Sequence, residues 1–372
     1  MNRKIGIYIH VPFCISKCAY CDFYSIGFSE EKAEEYVNKV ISQIGRWGAE
    51  LKCSADTLYF GGGTPSLLKS EQIGRIIAKV KECFYLENGE ITVEVNPKEN
   101  LEKWFKEVKE YGVNRVSLGL QSGVDSELKI LSRRHLKSDV VRTAEAVKSA
   151  GIDNFSLDIM LGIPNQTVIG LKETLEFAVS LNPTHISAYL LSVEEGAPLF
   201  KNREKYNIPN DETAGEFYLE TCRFLKNKGF ERYEISNFAR DGKISKHNTK
   251  YWEGKEYLGI GPAAHSMLDN KHFYYERSLE KYLADAEEIY DSDAGGFEEK
   301  VMLALRLSRG ISFDEIALNY SNINVKRAKN KADLFVKAGL LETENNRYFL
   351  SDKGALLSNS VITELILEFE KN

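Results

Sequence analysis

From residue 5 to about 235 the chain alternates between two kinds of segment. Short runs rich in Val, Ile, Leu and Tyr occupy 5–11, 56–60, 91–95, 115–120, 154–161 and 185–191. Their apolar, β-branched character predicts buried strands. Between them apolar residues recur at helical spacing, as in 29–47 and 70–84. Ser29, followed by acidic residues, is a helix start signal. Residues 211–229 read as a further helix that stops at Gly229. This alternation predicts parallel βαβ units with right-handed crossovers. Six units fit an α/β fold, a partial TIM-like (βα)6 barrel, with an open doubly wound sheet as the competing arrangement. Barrels collect function at the C-terminal ends of their strands. The chemically unusual residues fall there: Cys14 after the first run, Gly61 to Pro65 after the second, and Asn96 and Pro97 after the third.

The rhythm is lost over 230–296, which contains HNTKYW (247–252) and YLGIGPAAHS (257–266). It returns as helical spacing in 297–307, from Ser312, and in 325–342, followed by a short β element (347–354) and a last helix to about 370. The division expected is a barrel over 1–235, a connecting region over 236–296, and a small helical, winged-helix-like domain over 297–372. A winged helix raises the possibility of a nucleic-acid-binding regulator. The segment 297–372 holds 11 basic and 11 acidic side chains, so it lacks a basic footprint. A packing or lid role fits better, and nucleic acid is not an expected partner.

Composition narrows the class. Hydrophobic residues make up 43 % and aromatics 11 %, enough to build a core and exclude a disordered chain. The net charge of −6 argues against bulk nucleic-acid binding. The apolar stretch from Ile5 to Phe13 is short and broken by His10 and Pro12, predicting neither a signal peptide nor a membrane span. Six cysteines are too few for a disulfide scaffold, which points to a cytoplasmic location. Three of them, Cys14, Cys18 and Cys21, crowd into eight residues, while Cys53, Cys83 and Cys222 are scattered. A triplet spaced x3–x2 can hold a four-iron cubane and leave one iron without a protein ligand. The alternative is zinc held by the same thiols and His10. The GGGTP segment (61–65) lets a ligand approach the Gly62, Gly63 and Thr64 amides closely.

CISKCAYC followed by a strand ending in GGGTP resembles the radical S-adenosylmethionine superfamily. YIHVPFCISKCAYCDFYS, EVNP, RVSLGLQS, LDIMLGIP, YEISNF, HNTKYW and LGIGPAAHS extend that resemblance to the family uniting anaerobic coproporphyrinogen oxidases with haem chaperones. The resemblance implies a 4Fe–4S cluster on Cys14, Cys18 and Cys21. It implies S-adenosylmethionine contacts at Tyr8, Tyr20, Gly62, Gly63, Thr64, Glu94, Gln121, Arg133 and Asp158, while Arg134 is assigned to solvent. Phe23 stands where the oxidase branch carries one more cysteine, and HNxxYW is typical of the chaperone branch. The expected function is therefore haem binding and delivery to apo-haemoproteins, with oxygen-independent coproporphyrinogen III oxidation as the alternative.

Haem iron accepts a neutral imidazole. His247 sits in a polar, Lys-rich stretch and is expected to reach solvent or a cleft. Tyr251 and Trp252 offer flat faces for a porphyrin, and His265 is a second candidate ligand. The expected partners are haem, apo-haemoproteins and an electron donor. A homodimer and peripheral association with membrane-bound respiratory enzymes are further expectations.

Overall fold

The computed structural model describes residues 3–98, 100–195, 197–285, 287–321 and 323–370. All six expected strands are present: β1 (Lys4–Val11), β2 (Ser54–Gly62), β3 (Glu90–Val95), β4 (Arg115–Gln121), β5 (Asn154–Leu161) and β6 (His185–Leu190). Each pairs in parallel with the next. Helices α1 (Glu30–Leu51), α2 (Ser70–Phe84), α3 (Glu102–Tyr111), α4 (Lys137–Ser149), α5 (Val168–Ser180) and α6 (Asp211–Asn227) supply the crossovers and outer layer. Ser29 caps α1, its hydroxyl accepting from the Lys32 amide at 3.4 Å. Gly229 follows α6 in the left-handed region at φ 81°.

The strands separate two environments by their period of two. Ile5, Ile7, Ile9 and Val11 of β1 are completely buried in the apolar core. The intervening Gly6, Tyr8 and His10 face a polar interior. A Cβ at Gly6 would lie 3.0 Å from the Thr57 hydroxyl and 3.2 Å from the His247 ring.

Residues 230–296 are not a mere connection. β7 (Glu231–Arg232) and β8 (Asn237–Ala239) extend the sheet beyond β6. α7 (Lys246–Trp252) follows, and β9 (Tyr257–Ile260) pairs in parallel with β1 on the other side. Three antiparallel strands, β10 (His265–Leu268), β11 (Lys271–Tyr274) and β12 (Ile289–Asp293), continue from β9. The twelve-stranded order is β12-β11-β10-β9-β1-β2-β3-β4-β5-β6-β8-β7, a partial barrel with added edges. The strands were hidden in sequence because they are short and carry many polar residues.

A second core contains Val301, Leu305, Phe313, Ala332, Leu350, Leu365 and Phe369. Its helices are α8 (Phe297–Arg306), α9 (Phe313–Asn319), α10 (Val325–Lys337) and α11 (Ser358–Glu370). The helix expected over 325–342 stops at Lys337, because Leu341–Glu344 forms β13 opposite β14 (Arg347–Leu350). Asn345 and Asn346, both at positive φ (49° and 59°), make the two-residue hairpin turn between them.

Candidate functional site

The loop after β1 is tied down at both ends. Phe13–Cys14 pairs in parallel with Ile26–Gly27, and the Ala19 amide donates to Leu131 O at 3.1 Å. Cys14, Cys18 and Cys21 are half-buried and unbridged. They line a cavity of about 490 Å³ at the C-terminal mouth of the barrel. Tyr20, Gly62, Gly63, Thr64, Glu94, Gln121, Arg133 and Asp158 line the same cavity, so the structure brings most of the expected cofactor residues together.

A hydrogen-bond chain connects two of the thiols. Arg133 donates from Nη1 to Cys18 Sγ at 3.5 Å and to the Tyr20 hydroxyl at 3.4 Å. Its Nη2 donates to Asn96 Oδ1 at 2.7 Å and Gly119 O at 2.9 Å. Asn96 Nδ2 donates to Thr64 Oγ1 at 2.8 Å, and that hydroxyl lies 3.5 Å from Cys14 Sγ. Burial pushes the Cys21 thiol up, with the Cys18 and Cys14 charges adding to the shift. Arg134, by contrast, is exposed.

The glycine segment works differently from the expectation. The Gly63 amide donates to Val11 O and the Thr64 amide to Phe13 O, both at 2.8 Å. The Gly62 amide donates to the Glu94 carboxyl. These donors are therefore committed to the fold and are not presented to a ligand. The glycines are required by close approach of the first strand. A Cβ at Gly63 would lie 2.6 Å from Phe13 O, and one at Gly62, whose φ is +102°, would lie 2.6 Å from the His10 ring.

Two carboxyls sit below the mouth. Burial pushes Glu94 up to about 7, opposed by the Tyr59 hydroxyl, which donates to Oε1 at 2.8 Å. Burial also raises Asp158, whose oxygens accept from Ser117 at 3.1 Å and from Ser187. Gln121 is held at φ 65°, beside the register shift between β4 and β5. That is an uncommon conformation for a residue with a side chain. Tyr8 points its hydroxyl at His10 Nδ1, 3.2 Å away, and packs 6.2 Å from Tyr59, among the interior rings.

The donor set fits a cluster better than zinc. His10, the fourth zinc ligand of the alternative reading, is 4 % exposed. Its Nε2 is engaged by Tyr24 O at 2.9 Å and its Nδ1 by the Tyr8 hydroxyl. Burial pushes its pKa down to about 4, so the ring is neutral and occupied on both sides. Among the described residues no three His, Cys, Asp or Glu side chains close on a single ion. Three thiolates without a fourth protein ligand suit a cubane with one open iron.

The haem candidates do not converge, and His247 is the main correction. It is 1 % exposed rather than facing solvent. Its Nδ1 lies 2.8 Å from Thr57 Oγ1 and its Nε2 2.8 Å from the Tyr251 hydroxyl, so neither nitrogen is offered to a metal. Its ring stacks on Tyr59, 5.2 Å between centroids, and burial pushes its pKa down to about 3. Glu90 accepts from the Lys246 and His247 amides at 3.1 and 3.0 Å and anchors α7 against the barrel interior. Tyr251 follows His247 into the interior. Trp252 faces a separate cavity of about 690 Å³, shared with Met267 and Tyr320, with the Arg306 guanidinium 4.9 Å from its ring centroid. His265 is exposed and stacks on Tyr274. Asn96 was marked in the sequence only by its place after the third strand, and Tyr59, Ser117 and Arg115 are site residues that were not anticipated. Their signal is a polar residue at every second position of otherwise apolar strands.

A partial barrel carrying an x3–x2 cysteine loop at its mouth defines a radical S-adenosylmethionine protein. The family model described as Radical SAM superfamily matches residues 8–178, and the HemN C-terminal domain matches 297–357. The chain is 33 % identical over 376 residues to "Heme chaperone HemW" of Buchnera aphidicola, covering 96 % of this chain and 97 % of that protein. It is 32 % identical over 374 residues to the protein of the same name from Bacillus subtilis, covering 95 % and 97 %. Coproporphyrinogen III oxidase (HemN) from Escherichia coli shares the fold, with a TM-score of 0.81 at 21 % identity over 99 % of this chain and 90 % of that one. The chain belongs to the HemW family of the radical SAM superfamily. Membership implies a 4Fe–4S cluster and S-adenosylmethionine.

Proposed function

We propose that this protein is a haem chaperone that binds haem and passes it to apo-haemoproteins. The observation that carries the reading is the near full-length relationship to proteins named heme chaperone HemW. Phe23 supports it: the ring is 65 % exposed at the cavity mouth, where the oxidase branch carries a further thiol. Cys14, Cys18 and Cys21 hold the cluster. When bound, a cubane with an open iron supplies one-electron chemistry to S-adenosylmethionine. Arg133 and Asn96 orient the thiols, Glu94 holds a proton near neutral pH, and Asp158 offers an acceptor to ligand hydroxyls.

Haem docks outside the barrel, since His247 closes the inside. The Trp252 cavity, at about 690 Å³, falls within the usual range of small-molecule sites, roughly 300–1,000 Å³. The protein works in the cytoplasm, with a homodimer and peripheral contact with membrane-bound enzymes as further parts of the proposal. Among the described residues no helix is long and apolar enough to cross a membrane. The test is transfer: haem-loaded protein is mixed with an apo-haemoprotein and the acceptor's absorbance is followed. Acceptor holo-spectra forming faster than with free haem support the reading. Saturable haem binding with no transfer overturns delivery.

A further inference from the structure

The thiol-bearing loop has a second face, turned away from the cofactor cavity. A cleft of about 300 Å³ runs along it and reaches Cys18, with Ile15, Pro97, Lys98 and Arg134 among its walls. Cys18, Thr64, Asn96 and Arg133 line both this cleft and the cofactor cavity, so they form the wall between the two. Cys18 is therefore open to a cofactor from one side and to a partner from the other.

The charge at this cleft is opposite to that of the chain. Lys98 follows β3 and Arg134 precedes α4, and both are exposed. Lys17, also exposed, sits between Ser16 and Cys18, which both line the cleft, and its charge is close enough to act on the Cys21 thiol. None of the three cations forms an ion pair among the described residues; Lys98 only donates to Ser66 O at 3.2 Å. The carboxyl in the cleft, Asp139, is already spent, accepting from the Leu136 amide at 2.7 Å and from Arg142 at 2.6 Å. Beside the cations Ile15 is 58 % exposed, and Leu136, next in the chain to the cleft-lining His135, is 53 % exposed.

Apolar contacts ringed by unpaired charge suit a small, transient protein interface, in which charge sets the encounter rate and the orientation. With a net charge of −6 the chain as a whole repels an acidic protein, so a local basic patch selects where one can land. A four-iron cluster works by one-electron steps, and the electron has to arrive from outside the chain.

We infer that the cleft beside Cys18 is the docking site of an acidic one-electron carrier protein, held by Lys98, Arg134 and Lys17 around Ile15. The transfer makes and breaks no bond at the cluster: the carrier is oxidised by one electron and the cluster is reduced by one. The inference rests on the cluster that family membership implies and is independent of haem carriage.

The probe is flavodoxin hydroquinone, an acidic carrier that leaves as the semiquinone. Reduction of the reconstituted cluster is followed by stopped-flow absorbance in wild type and in Lys98→Glu/Arg134→Glu. Electrostatic steering changes on-rates by roughly 10–1,000-fold. At low ionic strength the double variant is therefore expected to be reduced about tenfold or more slowly than wild type. The difference should collapse in 1 M salt, where the screening length is about 3 Å. Photoreduced 5-deazariboflavin, small and uncharged, should reduce both proteins at one rate. Binding of oxidised flavodoxin, measured by calorimetry with no electron moving, should weaken to a similar degree. Arg134→Glu alone, at an exposed side chain, is expected to slow flavodoxin severalfold and decides the matter if the double variant folds poorly. Lys226→Glu/Lys353→Glu, on α6 and after β14, carries the same charge change outside both cavities and should match wild type. Wild-type reduction of the cleft variants by flavodoxin overturns the inference. So does equal slowing with deazariboflavin, since the defect then lies in the cluster rather than in docking.

Discussion

Replacing His247 with alanine removes a ring that β1, β2 and α7 have closed around. The Thr57 and Tyr251 hydroxyls each lose a nitrogen partner at 2.8 Å, and a net hydrogen bond contributes about 1 kcal/mol. The stack on Tyr59 adds about 0.5–1.5 kcal/mol. Truncating a large core side chain costs about 2–5 kcal/mol, a figure that already contains part of those contacts. Allowing for the overlap, about 3–5 kcal/mol is lost. At roughly 1–2 °C per kcal/mol for a chain of 372 residues, the melting temperature falls by roughly 3–10 °C. Circular dichroism melts at neutral pH, where the ring is uncharged, measure the fall. Haem titration then follows at a temperature below both transitions, where the folded variant is expected to keep wild-type affinity within tenfold. A variant with an unchanged melting temperature and no haem binding would contradict an interior role, because that behaviour belongs to an exposed ligand.

Other outcomes follow from the same structure. Gly63→Ala drives a Cβ to 2.6 Å from Phe13 O and 2.8 Å from Val11 O, both backbone atoms. About 1–3 kcal/mol of stability and part of the iron content are expected to go, and wild-type melting and iron analysis contradict this. Arg133→Met removes donors from Cys18 and the positive charge beside it, so the cluster midpoint moves to a more negative potential in an EPR-monitored titration without S-adenosylmethionine. An unmoved midpoint contradicts the network. Acid acts through buried neutral histidines: His10 and His135 are pushed down to about 4 and His247 to about 3 by burial. Their unfolded forms protonate near pH 6.5, so stability is full above that pH and is lost as pH falls towards 4 and then 3, at up to about 1.4 kcal/mol per unit for each. Glu94, raised to about 7 from 4.5, acts oppositely. Its contribution is full below 4.5 and lost as pH rises through 7. The three histidines outweigh the raised carboxyls Glu94 and Asp158, so the urea midpoint is expected to fall between pH 6.5 and 4.5, and a rising midpoint contradicts this balance.

The sequence exposed the barrel because parallel strands covered by helices are apolar almost throughout, as in IGIYIHV and NFSLDIML. It exposed the cysteine loop because three thiols at x3–x2 spacing have few other uses. What it concealed lies on the inward face. KISKHNTKYW is polar and reads as surface, yet Glu90 caps its helix and Thr57 holds its histidine inside. The barrel interior is itself polar, so hydropathy cannot tell inward from outward there. Glycines in GGGTP signal close approach but not of what, and here the approaching group is the end of β1 rather than a ligand. Outside the barrel, Lys98 and Arg134 are far apart in the sequence and share a cleft only because the end of β3 and the start of α4 lie side by side.

The proposed function is carriage of haem rather than oxidation of a porphyrinogen. One anaerobic preparation, reconstituted to about four irons per chain as a cubane requires, decides it. Haem is titrated into one portion, and coproporphyrinogen III is added with S-adenosylmethionine and a reductant to the other. Saturable haem binding and no protoporphyrinogen IX are expected. Decarboxylation of coproporphyrinogen III by protein that shows no saturable haem binding would contradict it.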